Sequence, residues 1–359
     1  MIFFSELSAL TGGKPLLLHK DGKIEAIAID SRKAAPQPGM LFFAIRGERH
    51  DGHAYIPALY HAGIRQFVVE DSTFQADQFP EANILLVRSA VDALQKIAAT
   101  HRGQFSFPVI GITGSNGKTI VKEWLFQMLS KDQVIVKNPG SFNSQVGVPL
   151  SVWQMQSHHQ LGIFEAGISR PGEMDNLEKV IKPTIGIFTN IGSAHDEGFE
   201  SQAEKISEKL KLFKNSKVLI YCADQESVRT MISSTGISFF SWGKEESNDV
   251  IVSTHGQTGY VTFKQQEHIL NLPFSDNASV ENCLHCVAVM LYMGYPFKVI
   301  QRGINGLRSV PMRMEMKEGI NQSYIIDDTY NNDLGGLELS LQFLSHQNQK
   351  RKKQCRLAV

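Results

Sequence analysis

Residues 109–119 read Val-Ile-Gly-Ile-Thr-Gly-Ser-Asn-Gly-Lys-Thr, an apolar run that passes through a glycine-rich turn into an amphipathic stretch at 120–129. Gly111, Gly114 and Gly117 let backbone N–H groups converge on anionic oxygens, and a helix starting there directs its positive end at the same anion. Lys118 would neutralise the β and γ phosphates of a nucleotide, and Thr119 would offer its hydroxyl to Mg2+. The spacing is a variant of the usual phosphate loop, because Gly-x4-Gly-Lys-Thr would need glycine where Ile112 stands. A glycine-rich turn without a ligand is the plainer alternative, and the Lys118-Thr119 pair weighs against it.

Two more polar residues stand just past later apolar runs, where open α/β sheets bind their ligands. Glu165 ends Leu161-Gly-Ile-Phe-Glu, and His195 closes Ile187-Phe-Thr-Asn-Ile-Gly-Ser-Ala-His. A carboxylate and an imidazole beside a phosphate loop can hold Mg2+ and order a γ-phosphate. Taken singly, Glu165 reads as a surface carboxylate and His195 as a satisfied loop histidine. Their shared position after the loop motif favours the ligand reading.

The elements that must position these groups follow from periodicity. Before about residue 105, short apolar runs at 24–29, 41–45, 67–69 and 84–87 read as strands and 90–101 as a helix, a small α/β domain. From 109, strands at 109–113, 134–136, 161–166, 185–189 and 218–221 alternate with helical patterns, which predicts a doubly wound, mostly parallel sheet. Runs at 250–254, 260–264 and 269–272 are brief and separated by turn residues, the pattern of an antiparallel extension, and a helix is expected over 279–293. Stretches 312–317 and 323–327 would close the central domain, and 334–344 reads as a helix starting something new. The expected domains are 1–105, 106–312 and 313–359.

With 359 residues the chain exceeds the usual size of one core. Lys plus Arg and Asp plus Glu both number 36, so no global field exists to draw nucleic acid or an anionic membrane, and any phosphate binding must be local. Four scattered cysteines, Cys222, Cys283, Cys286 and Cys355, suit a reducing compartment. Cys283-x-x-Cys286 lacks the second pair a zinc site needs and falls in an apolar helical stretch, so packing is the expected role. The Lys350-Arg-Lys-Lys353 run with Arg356 reads as solvated. Met1-Ile-Phe-Phe-Ser-Glu shows no basic leader region, and no apolar run approaches the roughly 18 residues of a membrane span, so a cytoplasmic location is expected. A monomer acting on small molecules is expected as well.

Gly-Ile-Thr-Gly-Ser-Asn-Gly-Lys-Thr (111–119), Glu-Ala-Gly-Ile-Ser (165–169), Thr-Asn-Ile-Gly-Ser-Ala-His (189–195) and Ile-Asp-Asp-Thr-Tyr-Asn (326–331) occur in that order. Together they resemble the Mur ligase family of ATP-dependent cell-wall ligases. Asp30-Ser31-Arg32, Gly-Glu-Arg-His-Asp-Gly-His (47–53) and the Asp-Asp-Thr-Tyr-Asn-Asn form are most similar to members joining D-alanyl-D-alanine to UDP-N-acetylmuramoyl-tripeptide. Alternatives are another amino-acid ligase of the superfamily, a phosphate-loop kinase or GTPase, and a nucleotide-binding fragment without ligase activity.

The resemblance implies roles residue by residue. Gly111, Thr113, Gly114, Ser115, Asn116, Gly117, Lys118 and Thr119 would hold ATP phosphates, Asn282 the adenine, and Arg313 and Asp328 the ribose and phosphates. Thr119, Glu165, His195 and Lys209 would ligate two Mg2+ ions, Lys209 as a carbamate; Lys118, Glu165, His195 and Lys209 form the implied catalytic set. Ser31 and Arg32 would grip the UDP end, and Asn143 would face the substrate. Lys209 is preferred to Lys211 because it lies four residues before Phe213, although Lys205, Lys209 and Lys211 also fit the wet face of an amphipathic helix. The implied chemistry is an acyl phosphate made from the substrate carboxylate and then captured by an amine.

The resemblance also implies a third, Rossmann-like domain, of which residues 313–359 hold only the start. Asn332-Asp333-Leu334-Gly335 departs from the commoner family form and resembles ligases fused to a downstream alanine racemase. A truncated chain that binds its substrates but ligates poorly is the corresponding expectation.

Overall fold

The computed structural model describes residues 1–48, 50–192, 198–274, 276–313, 315–319, 323–330, 337, 340, 341, 344 and 345. Contacts divide the chain into two compact units. The first comprises residues 1–107, 142–158 and 176–181; the second comprises 108–141, 159–175 and 182–359.

The first unit carries five strands, β1 (Lys14–Leu17), β2 (Ala26–Ala28), β3 (Met40–Phe43), β4 (Gln66–Val69) and β5 (Asn83–Leu86). Their order is β1-β5-β4-β3-β2, parallel except for β1 against β5. β3 and β4 are buried throughout, which explains why both read as unbroken apolar runs rather than as alternations. Leu41, Phe43, Val68 and Leu85 share one face with Ala90, Ala93, Leu94 and Ile97 of the helix Ala90–Arg102. Phe42, Phe67, Val69 and Ile84 pack on the other with Ile56 and Leu59. The spacing at 90, 93, 94 and 97 is one helical stripe, and Ser89 starts the helix by accepting a hydrogen bond from the Asp92 N–H. Val146, Leu150 and Trp153, from the later segment, pack against the same face.

The second unit is built on nine strands: β6 (Val109–Thr113), β7 (Ile135–Lys137), β8 (Leu161–Glu165), β9 (Ile185–Phe188), β10 (Val218–Cys222), β11 (Phe239–Gly243), β12 (Val250–His255), β13 (Thr258–Phe263) and β14 (Gln266–Asn271). They run in the order β14-β13-β12-β11-β10-β9-β6-β8-β7. Pairing is parallel from β7 to β12 and antiparallel from β12 to β14. The expected α/β class, parallel sheet and antiparallel extension are all present. β11 is the departure: no strand was read there, and β12 pairs with it in parallel, so the run from 250 is only partly antiparallel. β13 and β14 meet at Lys264 and Gln265, both at positive φ (50° and 63°), the conformation of a two-residue hairpin turn. The helices Lys118–Leu129 and Asn277–Tyr292 cover one face, their Val121, Leu125, Met128, Leu284, Val287 and Leu291 joining the strand residues Ile110, Ile163, Ile187 and Ile220.

β15 (Glu315–Glu318) and β16 (Tyr324–Asp327) form a separate antiparallel pair. Most of the helix expected at 334–344 lies outside the described residues, as does the basic run at 350–353.

Candidate active site

The chain leaves β6 on one side of the nine-stranded sheet to form β7 and β8, then returns to β9 on the other side of β6. That reversal falls at the carboxyl ends of β6, β8 and β9, the place where doubly wound sheets take ligands. The turn 114–117, Glu165 and the segment 189–192 all sit there.

Only glycine suits two positions of the turn. Gly114 (φ 148°) and Gly117 (φ 79°) are in the positive-φ region, and a Cβ would strike the Thr189 hydroxyl at the first and the Asn282 side-chain oxygen at the second. The loop is clamped from β9: Ser115 N–H donates to Asn190 O at 2.9 Å, Asn116 N–H donates to Asn190 Oδ1 at 2.9 Å, and Thr189 Oγ1 donates to Asn116 O at 2.6 Å. Thr113 Oγ1 donates to Ala166 O at 2.9 Å, tying β6 to the end of β8. Gly111 needs its missing side chain for a different reason, since a Cβ there would meet Pro183 at 2.8 Å. Gly117 caps the helix Lys118–Leu129, whose first N–H groups have no intrahelical carbonyl and make the turn suited to an anion.

Lys118 Nζ folds over the turn, donating to Gly114 O at 2.9 Å and Ser115 O at 2.8 Å. Thr119 Oγ1 lies 3.0 Å from Ser141 Oγ, which also accepts from Arg313 Nη2 at 3.3 Å. Arg313 stacks over the Tyr330 ring at 4.0 Å, and Asp328 accepts from Ser340 Oγ at 2.6 Å. Glu165 is fully buried at the end of β8, not a surface carboxylate.

The helix Gln202–Leu210 corrects another plain reading. Lys205 and Lys209 are buried, at 1% and 2% exposure, and only Lys211 reaches solvent, paired with Glu208 and Asp175. Lys209 Nζ donates to Gly114 O at 3.0 Å, and Lys205 Nζ donates to Gly192 O at 2.6 Å. Burial, with the nearby Lys118 and Lys205 cations adding to it, holds the Lys209 ammonium well below the ordinary lysine range.

Asn282 lies against the turn from the long helix. One turn on, fully buried His285 receives the Trp242 indole N–H on Nδ1 (3.1 Å) and its Nε2 is 2.8 Å from Thr189 O, so the ring is neutral with its proton on Nε2. Burial pushes its pKa down to about 4. Cys283 and Cys286 are buried, and burial lifts Cys283 to about 12, in keeping with packing rather than metal binding. Among the described residues no three His, Cys, Asp or Glu side chains converge on one point.

The structure therefore brings Gly111, Thr113, Gly114, Ser115, Asn116, Gly117, Lys118, Thr119, Glu165, Lys209, Asn282 and Arg313 into one unit around or behind one turn. His195 lies outside the described residues. Ser31, Arg32 and Asn143 belong to the first unit: Arg32 is bound to Asp30 through Nε and Nη2, both at 2.9 Å, in the turn after β2, and Asn143 precedes the helix Gly147–Val152. Sequence reading missed Lys122, Asn138, Ser141 and Lys205. One signal was available, a lysine at 122 between Val121 and Leu125 on the helix stripe that must face the core.

A description of the Mur ligase middle domain matches residues 112–290, and one of the Mur ligase family catalytic domain matches 23–102. A UDP-N-acetylmuramoyl-tripeptide–D-alanyl-D-alanine ligase of Synechocystis is 30% identical over 357 residues, 95% of this chain and 73% of its own length. MurF from Acinetobacter baumannii superposes with a TM-score of 0.82 at 26% identity, covering 96% of this chain and 76% of that one. MurF ligase from Thermotoga maritima in complex with ADP gives 0.77 at 27%, covering 90% and 75%. No helix among the described residues is long and apolar enough to cross a membrane. Matched by both family descriptions and by a relative 30% identical over 95% of its length, the chain belongs to the Mur ligase family.

Proposed function

We propose that this chain uses ATP to join D-alanyl-D-alanine to UDP-N-acetylmuramoyl-tripeptide. What carries the reading is the turn at 114–117, with Lys118 and Lys209 on its carbonyls and Asn282 behind it, in a chain whose relatives bear that ligase name.

A carboxylate and an ammonium do not condense at neutral pH, because the carboxylate is a poor electrophile with no adequate leaving group. The tripeptide carboxylate attacks the γ-phosphorus of ATP in line; a new P–O bond forms, the bond to the β-phosphate oxygen breaks, and ADP leaves. The uncharged amine of the dipeptide then attacks the acyl carbon, and the tetrahedral intermediate expels inorganic phosphate as the nitrogen releases a proton. In this scheme the N–H groups around 114–119 and Lys118 hold the phosphates, and Asn282, Arg313 and Asp328 hold the nucleoside side. Ser31, Arg32 and Asn143 take the muramoyl substrate.

The donor set suits Mg2+. Thr119 and Ser141 present hard hydroxyl oxygens 3.0 Å apart, and Glu165 adds a buried carboxylate. Thr119, Glu165, His195 and Lys209 would hold two ions, which supply neutralising charge for the phosphates when bound. A cationic Lys209 cannot ligate, but its depressed pKa favours the free amine, which adds to CO2 and loses a proton to become a carbamate. No partner chain enters the scheme, and we take the protein to act as a monomer.

The test is ADP release with the tripeptide precursor and ATP, comparing D-alanyl-D-alanine with meso-diaminopimelate, lysine and glutamate. Turnover at least about tenfold faster with the dipeptide is expected. Release that is independent of the amine, or faster with a different one, overturns the assignment.

A further inference from the structure

We propose that Lys122 is a positioning residue that holds Glu165 and the turn 138–141 in the arrangement a Mg2+-bound phosphate requires. The inference rests on the nucleotide-site reading above.

Lys122 lies one helical turn after Lys118 and is fully buried. An enclosed ammonium costs several kcal/mol unless it is ligated from several directions, and an apolar side chain at this core-facing position would avoid that cost. The groups around it explain the lysine. Its Nζ donates to Asn138 O at 3.0 Å and to Gly140 O, and lies 3.3 Å from Glu123 and 3.8 Å from Glu165. Asn138, also fully buried, grips Glu165 from the other side: its Oδ1 accepts the Glu165 N–H at 2.7 Å and its Nδ2 donates to Glu165 O at 3.4 Å. Lys137 closes the ring by pairing with Glu123 at 2.8 Å.

One ammonium thus faces the Glu165 carboxylate and binds the carbonyls of Asn138 and Gly140, in the turn that ends at Ser141, whose hydroxyl meets Thr119. The end of β8, the turn after β7 and the start of the phosphate-facing helix come to a common point at Lys122. Regular β7–β8 pairing ends at Lys137 and Ile163, and beyond it the side chains of Asn138 and Lys122 join the segments.

The experiment titrates the full chain with MgCl2 and follows ADP binding by calorimetry, with circular dichroism to check folding. Lys122→Gln should raise the Mg2+ midpoint about tenfold while ADP affinity without Mg2+ stays within about threefold, the effect expected of a group that orients a ligand. Lys122→Arg, which keeps the charge, should recover most of that shift, and in a Glu165→Gln background the Lys122→Gln shift should vanish. If Lys122→Gln does not fold, Asn138→Ser, which frees the Glu165 backbone and leaves the ammonium, carries the same expectation. An unchanged midpoint, or an equal shift with and without Glu165, overturns the inference alone. Wild-type ADP binding that ignores Mg2+ overturns the nucleotide-site reading and this inference with it.

Discussion

On the β7–β8 side of the glycine turn, Lys122 is buried among groups that favour its charge; on the β9 side, Lys209 is buried among groups that oppose it. Burial pulls the Lys122 pKa down, but Glu165 and then Glu123 push back. For Lys209 burial is joined by the Lys118 and Lys205 cations, and its Nζ donates to a backbone carbonyl, Gly114 O. Similar burial therefore lowers the two lysines unequally, Lys209 much further than Lys122. A compensated ammonium can serve as a fixed brace, whereas an opposed one tends toward a free amine, which is reactive and able to change its charge.

Removing Lys118 is the most severe way to disturb this pairing. Lys118→Ala should weaken ADP binding and lower ligase turnover about a hundredfold or more, through loss of a cation aimed at the transferring charge. It should also let the Lys209 pKa rise toward its ordinary range; unchanged ADP affinity in a folded Lys118→Ala chain would contradict the role given to the turn.

Next come the two buried lysines themselves. Lys122→Met leaves Glu165 enclosed without its cation and should cost about 3–5 kcal/mol in urea unfolding. Lys209→Met removes a cation that folding disfavours, so no comparable loss is expected at pH 7. The sign follows from linkage: a lysine whose folded pKa is lowered binds fewer protons when folded, so stability rises with pH from the folded value up to about 10.4. The methionine variant should lack that rise. Similar losses in both variants would erase the distinction.

His285 offers the smallest test: its ring nitrogens bond neutral partners, the Trp242 indole and Thr189 O, while the Glu281 carboxylate stands off at 4.0 Å. Between pH 6.5 and about 4 the unfolded chain takes up a proton that the folded imidazole refuses, so stability should fall by about 3 kcal/mol on acidification. Glu281, raised to about 7 by burial and then by Asp224, acts in the opposite sense between 4.5 and 7, and about a third of its side chain reaches solvent, which weakens its share. The difference between wild type and His285→Phe isolates the histidine, and parallel acid limbs would count against a neutral buried ring.

Most of the parallel core was legible because strands buried on both faces must be apolar throughout, as at 41–43, 109–113 and 218–222. The loop was legible for a local reason: positive φ at Gly114 and Gly117 leaves glycine little competition, and the lysine that follows is a chemical marker. β11 was not legible, because Phe239 and Phe240 stay partly exposed and its strand character depends on β10 and β12 lying alongside. Nor could helical period separate Lys205 and Lys209 from Lys211, since a wet face and a buried polar pocket use the same residue types. The order of residues along the chain settled where an anion could be cradled and which family's motifs surround it. Which lysines are enclosed, which of those keep a carboxylate beside them, and that Asn138 and Lys122 bracket Glu165 were settled only by folding, because charge state and ligand geometry depend on groups brought together across scores of residues.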